Sequence, residues 1–226
     1  MANTTKRLIL FDIDGTLLRT KGVGRKSTEA AMLEVFGTAS TIATHHFGGK
    51  TDWYTLVELL KPHGYDTDKV GVKMADFVAA MERHVTQFIV DFPALALDGA
   101  LDVVHRLRTE SNSILGIVTG NAPTSARLKL QSAGFDPAWF PVGAFGSESV
   151  DRDDLPKLAI ERAREHCGCE IGAVYVIGDT VMDIKAARAV DAVAIAVKTG
   201  FEDLDALVAA KPDHLLGDLT TLFDVL

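Results

Sequence analysis

The run Leu8-Ile9-Leu10-Phe11-Asp12-Ile13-Asp14-Gly15-Thr16 decides how the rest of the chain is read. Four apolar residues without alternation match a strand covered on both faces, as in a parallel sheet flanked by helices. Two carboxylates follow at once, and in open α/β sheets ligands bind beyond the carboxyl ends of the strands. Asp12 and Asp14 are two apart, so an extended chain projects both to the same side. Gly15 then permits a bend that a Cβ would oppose.

Outward from this run the pattern repeats. Ile114–Val118, Ala173–Ile177 and Val193–Val197 are apolar throughout, with a shorter piece at Val142–Phe145. Helical patterns fall between them, at Ala126–Ala133 closing on Gly134, Leu155–His166, Met182–Val190 and Asp203–Ala210. Strands alternating with single helices predict a doubly wound, mainly parallel, Rossmann-like α/β sheet. Residues 20–97 differ. They show no strand-like run and carry apolar stripes at Trp53, Leu56, Val57 and Leu60, and from Val70 through Phe88. This block predicts an all-helical cap, 20–97, inserted into a core made of 1–19 and 98–226. Gly22-Val23-Gly24-Arg25-Lys26-Ser27 reads as the hinge into it, with Ser27 near a helix start.

Each strand end carries chemistry. Thr119-Gly120-Asn121 follows the second run, and Gly178-Asp179-Thr180-Val181-Met182-Asp183 follows the third. Gly146-Ser147 and then Arg152 follow Val142–Phe145. Asp12, Asp14, Asp179 and Asp183 would place up to four carboxylates in one small volume. Two like charges 4 Å apart repel by about 4 kcal/mol at an effective dielectric of 20. An all-oxygen cluster of this kind calls for a hard divalent cation, Mg²⁺ first.

With 226 residues the chain suits one large domain or a core with an insertion. Its net charge of −8 disfavours non-specific binding to nucleic acid or to an anionic membrane. No apolar run reaches the roughly 18 residues of a membrane helix, and Leu8–Phe11 is too short for a signal sequence, so a cytoplasmic protein is expected. Cys167 and Cys169, the two cysteines, read as free thiols.

In these motifs the chain resembles the haloacid dehalogenase superfamily of phosphohydrolases along essentially its whole length. Asp12-Ile13-Asp14-Gly15-Thr16 is similar to the first family motif, Thr119 to the second, and Gly178-Asp179-x-x-x-Asp183 to the fourth. The helical insertion is similar to the C1-type cap of the phosphoglycolate phosphatase-like branch. The resemblance implies a Mg²⁺-dependent phosphatase acting on a small phosphorylated metabolite, with Asp12 as nucleophile and Asp14 as general acid and base. It implies that Asp12, the Asp14 backbone carbonyl and Asp179 hold the metal, with Asp183 holding it directly or through water. Thr119, Gly120 and Asn121 would bind the phosphoryl oxygens.

The third motif departs from the family pattern of a Lys or Arg after the preceding strand. Ungapped counting back from Asp179 lands on Asp154, which cannot serve. Arg152, just before the predicted helix, is the first candidate and Lys157, in its first turn, the second. In the cap, the turn Gly48-Gly49-Lys50-Thr51-Asp52 could aim Lys50 at the site as a specificity residue, while the adjoining His45 and His46 have no assigned role. A phosphomutase on the same core is the nearest rival, and a phosphonate hydrolase would need Lys50 as an imine-forming amine. Dehalogenation does not need Asp14, because a departing halide takes no proton. A receiver-type signalling domain would be about half this length.

Overall fold

The structure is a computed structural model and describes residues 5–226, so residues 1–4 of the expected core lie outside it. Six strands form one parallel sheet: β1 (Lys6–Phe11), β4 (Ser113–Thr119), β5 (Val142–Phe145), β6 (Ile171–Gly178), β7 (Val193–Val197) and β8 (His214–Leu216). Their order is β5-β4-β1-β6-β7-β8, which puts β1 at the centre. Side-chain alternation along β1 feeds two cores. Ile9 and Phe11 pack with α5 (Ala100–Leu107) and α6 (Pro123–Ser132), while Leu8 and Leu10 pack with α7 (Asp154–Cys167), α8 (Val181–Arg188) and α9 (Leu204–Ala209). Both faces are covered, as the unbroken apolar runs require.

Helices α1 (Val23–Phe36), α2 (Asp52–Leu60), α3 (Thr67–Val72) and α4 (Met74–Phe88) have a core of their own, including Met32, Leu56, Phe77 and Met81. The chain enters and leaves this helical unit through a small antiparallel ribbon, β2 (Leu18–Arg19) against β3 (Leu95–Ala96).

Several details differ from expectation. Strand β3 lies within the stretch read as wholly helical, since two residues are too few to show a period. Neither α5 nor β8 was anticipated. The stripe from Val70 to Phe88 is two helices, divided where the Lys73 N–H turns back to the Val70 carbonyl at 3.0 Å. The supposed hinge at 22–27 is mostly helix, because α1 starts at Val23 and only Gly22 keeps the left-handed conformation, at φ 93°. Cys167 and Cys169 are not free thiols but a disulfide. Gly168, at φ 58°, folds the end of α7 back so that their Cα atoms lie 5.2 Å apart. No helix among the described residues is long and apolar enough to cross a membrane.

Candidate active site

Every expected motif meets at the carboxyl end of the sheet, and only the Asp14 carboxylate stands apart from the acidic cluster there. Asp12 leaves the end of β1 with its N–H bonded to the Ile177 carbonyl of β6 at 2.9 Å, which fixes its position between the central strands. Asp179 follows β6, and Asp183 lies in the first turn of α8. The carboxylates of Asp12, Asp179 and Asp183 are buried, with one oxygen from each within 4.8 Å of the others. Asp183 is locked by a reciprocal cap: its Oδ2 accepts from Thr180 N at 3.0 Å and from Thr180 Oγ1 at 2.6 Å.

Arg152 is 2% exposed and reaches this cluster. Its Nη2 lies 3.0 Å from Asp12 Oδ1 and also bonds Asp183. Burial and like charges nearby push Asp179 up to about 9. Burial likewise lifts Asp12 to about 7, against the pull of Arg152. One guanidinium among three buried carboxyl groups leaves two without a counter-charge of their own. That imbalance, with a donor set made only of oxygens, fits a hard divalent cation such as Mg²⁺. Lys157 is exposed on α7 and does not line the cavity. Of the two third-motif candidates, only Arg152 reaches the carboxylates, because the loop before α7 points back over the strand ends while the helix carries Lys157 away.

The Asp14 carboxylate stands apart, so four carboxylates in one volume are corrected to three. The reading assumed an extended chain through residue 14. Instead the Ile13 carbonyl accepts from Thr16, Leu17 and Leu18, and Gly15 turns at φ 91°. A side chain is excluded at Gly15, since its Cβ would lie 2.5 Å from Asp179 Oδ2. Asp14 Oδ2 instead accepts from Asn121 Nδ2 at 2.8 Å and from Lys129 Nζ at 2.6 Å. The Thr119 hydroxyl accepts from Asn121 Nδ2 at 2.8 Å. Asp12, Asp14, Thr119, Gly120, Asn121, Arg152 and Asp179 all line one cavity of about 800 Å³.

The helical unit closes over this cavity through the first turn of α2. Asp52 N–H donates to the Gly120 carbonyl at 2.8 Å, and Trp53 N–H to the Gly146 carbonyl at 3.0 Å. The Asp52 carboxylate accepts from Ala122 N at 2.8 Å. Thr51 Oγ1 donates to the Val150 carbonyl at 3.0 Å, and Arg152 Nη1 to the Gly49 carbonyl at 2.9 Å. Burial pushes the Asp52 carboxyl up to about 6, opposed by the Ala122 N–H and by Lys129. Lys50 borders the cavity, but its Nζ bonds Glu58 Oε2 at 2.6 Å, so its charge is engaged within the helical unit. His46 lines the cavity as well.

Residues 6–191 match the family of haloacid dehalogenase-like hydrolases. The chain belongs to this family. It is an enzyme, a hydrolase, and the parallel sheet with its inserted helices is the fold expected of one. A phosphoglycolate phosphatase of Synechococcus elongatus is 38% identical over 125 residues, which is 55% of this chain and 56% of that protein, so the match spans about half of that relative. A pyrophosphatase PpaX of Bacillus pumilus is 20% identical over 226 residues, 100% of this chain and 98% of its own. Among solved structures, a hydrolase from Pseudomonas syringae superposes with a TM-score of 0.64 at 22% identity, covering 97% of each chain.

Lys129 and Asp52 are the site residues that sequence reasoning missed. A signal for Lys129 was present. It falls in line with Ala122, Ala126, Leu130 and Ala133, the buried stripe of α6, where a charge has no reason to be unless it is paired. Asp52 carried no comparable mark, since an acidic residue in the first turn of a helix is ordinary dipole chemistry.

Proposed function

We propose that this hydrolase is a Mg²⁺-dependent phosphatase that cleaves a small phosphomonoester through an aspartyl-phosphate on Asp12. The observation that carries the reading is the buried group of Asp12, Asp179 and Asp183 against a single guanidinium, beneath a covered cavity. Asp12, Asp179 and Asp183 would hold the metal with the Asp14 carbonyl, and the ion would offset the charge of a phosphoryl group brought against a carboxylate. The Asp12 carboxylate attacks phosphorus, and the bond to the leaving oxygen breaks. Asp14 supplies a proton to that oxygen and afterwards takes one from the hydrolytic water, a role worth about 10²–10⁴ in rate. Arg152, the Thr119 hydroxyl and the backbone N–H groups near Asn121 bind the phosphoryl oxygens. The bonds from Asp52 and Trp53 to the second- and third-motif loops support a cap that excludes bulk water during the reaction.

The family match and relatives whose names denote phosphatases support this reading. Its test is hydrolysis of p-nitrophenyl phosphate with Mg²⁺, with EDTA, and by Asp12→Asn. Turnover that survives chelation or that substitution refutes it. A panel of small phosphorylated metabolites, ranked by kcat/KM, then identifies the substrate class.

A further inference from the structure

Lys129 is 3% exposed in α6, on a buried helix face shared with Ser125, Ala126 and Leu130, where it is the one charged residue. Its Nζ lies 2.6 Å from Asp14 Oδ2 and 2.6 Å from Asn121 Oδ1. Asn121 Nδ2 completes the triangle, at 2.8 Å from the same Asp14 oxygen. Gly24 of α1 lies over the ammonium, where a Cβ would come within 3.4 Å of Nζ. A buried ammonium is unfavourable unless a counter-charge meets it. Packing gives no reason for the charge, because Met or Leu would fill the same space.

The geometry has a direction. Both donors bind Oδ2, and Oδ1 accepts no hydrogen bond from any described residue, while Asp14 lines the cavity. We infer that Lys129 is a positioning residue for the second, hydrolytic half of the reaction. With Asn121 it clamps Oδ2 and fixes the orientation of the Asp14 carboxyl group, with Oδ1 left to meet the attacking water. This inference rests on the aspartyl-phosphate chemistry proposed above. In that step the water oxygen bonds to phosphorus and its proton passes to Asp14 Oδ1. The bond from phosphorus to Asp12 breaks, its electron pair returns to the Asp12 carboxylate, and inorganic phosphate departs. Phosphorylation of Asp12 by an aryl phosphate makes no such demand, because the phenolate leaves without a proton.

The two half-reactions therefore separate kinetically. Slowing only dephosphorylation lowers kcat and KM together and preserves kcat/KM, which reports steps up to departure of the leaving group. The experiment uses p-nitrophenyl phosphate and saturating Mg²⁺ with Lys129→Met and Lys129→Gln; glutamine keeps an N–H donor should methionine prevent folding. The expected result is a kcat lower by about 10-fold or more, KM lower by a similar factor, and kcat/KM within about threefold of the parent. A burst of nitrophenolate approaching one equivalent per enzyme, and a phosphoryl group on Asp12 by mass spectrometry, should accompany it. A fall in kcat/KM that parallels kcat with no burst, or an unchanged kcat in both variants, overturns the inference. Parent activity that resists EDTA or Asp12→Asn is a separate result and would sink the phosphatase reading itself.

Discussion

Replacing Arg152 with Met removes the only cation that touches the buried carboxylates among the described residues. The guanidinium lies 3.0 Å from Asp12 Oδ1, also bonds Asp183, and donates to the Gly49 carbonyl at 2.9 Å. Methionine fills much of the same space but leaves three acidic groups facing one another. Deleting one partner of a buried ion pair costs about 3–5 kcal/mol. Proton uptake by Asp12, whose carboxyl is already pushed up to about 7 against the pull of Arg152, favours the lower end. Unfolding entropy of about 2.1 cal/mol/K per residue gives roughly 0.47 kcal/mol/K for 226 residues. The melting temperature in EDTA should therefore fall by about 6–11 °C. Mg²⁺ should act more strongly on the variant, because the guanidinium no longer competes with the ion for Asp12 and Asp183, and binding to the native state alone raises stability. Thermal melts of parent and variant at pH 7.5, with EDTA and with Mg²⁺ at millimolar concentration, measure both effects. A fall under about 2 °C in EDTA, or a Mg²⁺-induced gain no larger than the parent's, would show that charge balance does not govern this cluster.

Asp52→Asn keeps an acceptor for Ala122 N but removes the titration. The folded carboxyl is raised to about 6 from 3.8, so the stability it contributes is complete below about pH 4 and is lost as pH rises through 6. The loss amounts to as much as about 3 kcal/mol, and the melting temperature of the variant relative to the parent should climb between pH 4 and 7; a flat difference contradicts this. Gly146→Ala would set a Cβ 1.8 Å from the Gly120 carbonyl oxygen and 2.8 Å from Asp52 N. The helical unit then docks poorly, and kcat/KM should drop by about 10-fold or more, as expected for misplaced closure; parent-like activity would deny that docking matters. Lys157→Ala should change kcat/KM less than twofold and leave the melting temperature within about 1 °C, as for an ordinary surface substitution. A loss comparable to that of Arg152→Met would reverse the third-motif assignment.

The core was legible because its strands are buried on both faces. Leu8–Phe11, Ile114–Val118, Ala173–Ile177 and Val193–Val197 each lie within an observed strand, and the acidic and hydroxyl residues after them meet at one end of the sheet. Elements with little periodicity escaped notice: the two-residue β2 and β3, the edge strand β8, and the break between α3 and α4. Arg152 illustrates the boundary between the two kinds of information. Charge type and loop position made it a candidate, whereas its contacts with Asp12 and Asp183 depend on how the loop before α7 crosses the strand ends.

Local sequence thus determined the parallel α/β sheet, the inserted helices and the acidic strand ends, since these follow from hydrophobic period and from the residue types beside it. Tertiary structure alone decided that Asp14 turns from the other carboxylates to Lys129, and that Asp52 ties α2 to the loops at Gly120 and Ala122. Those pairs join residues 115 and 70 positions apart. A contact over such distances depends on the packing of whole helices against the sheet, and no pattern within either segment encodes its partner.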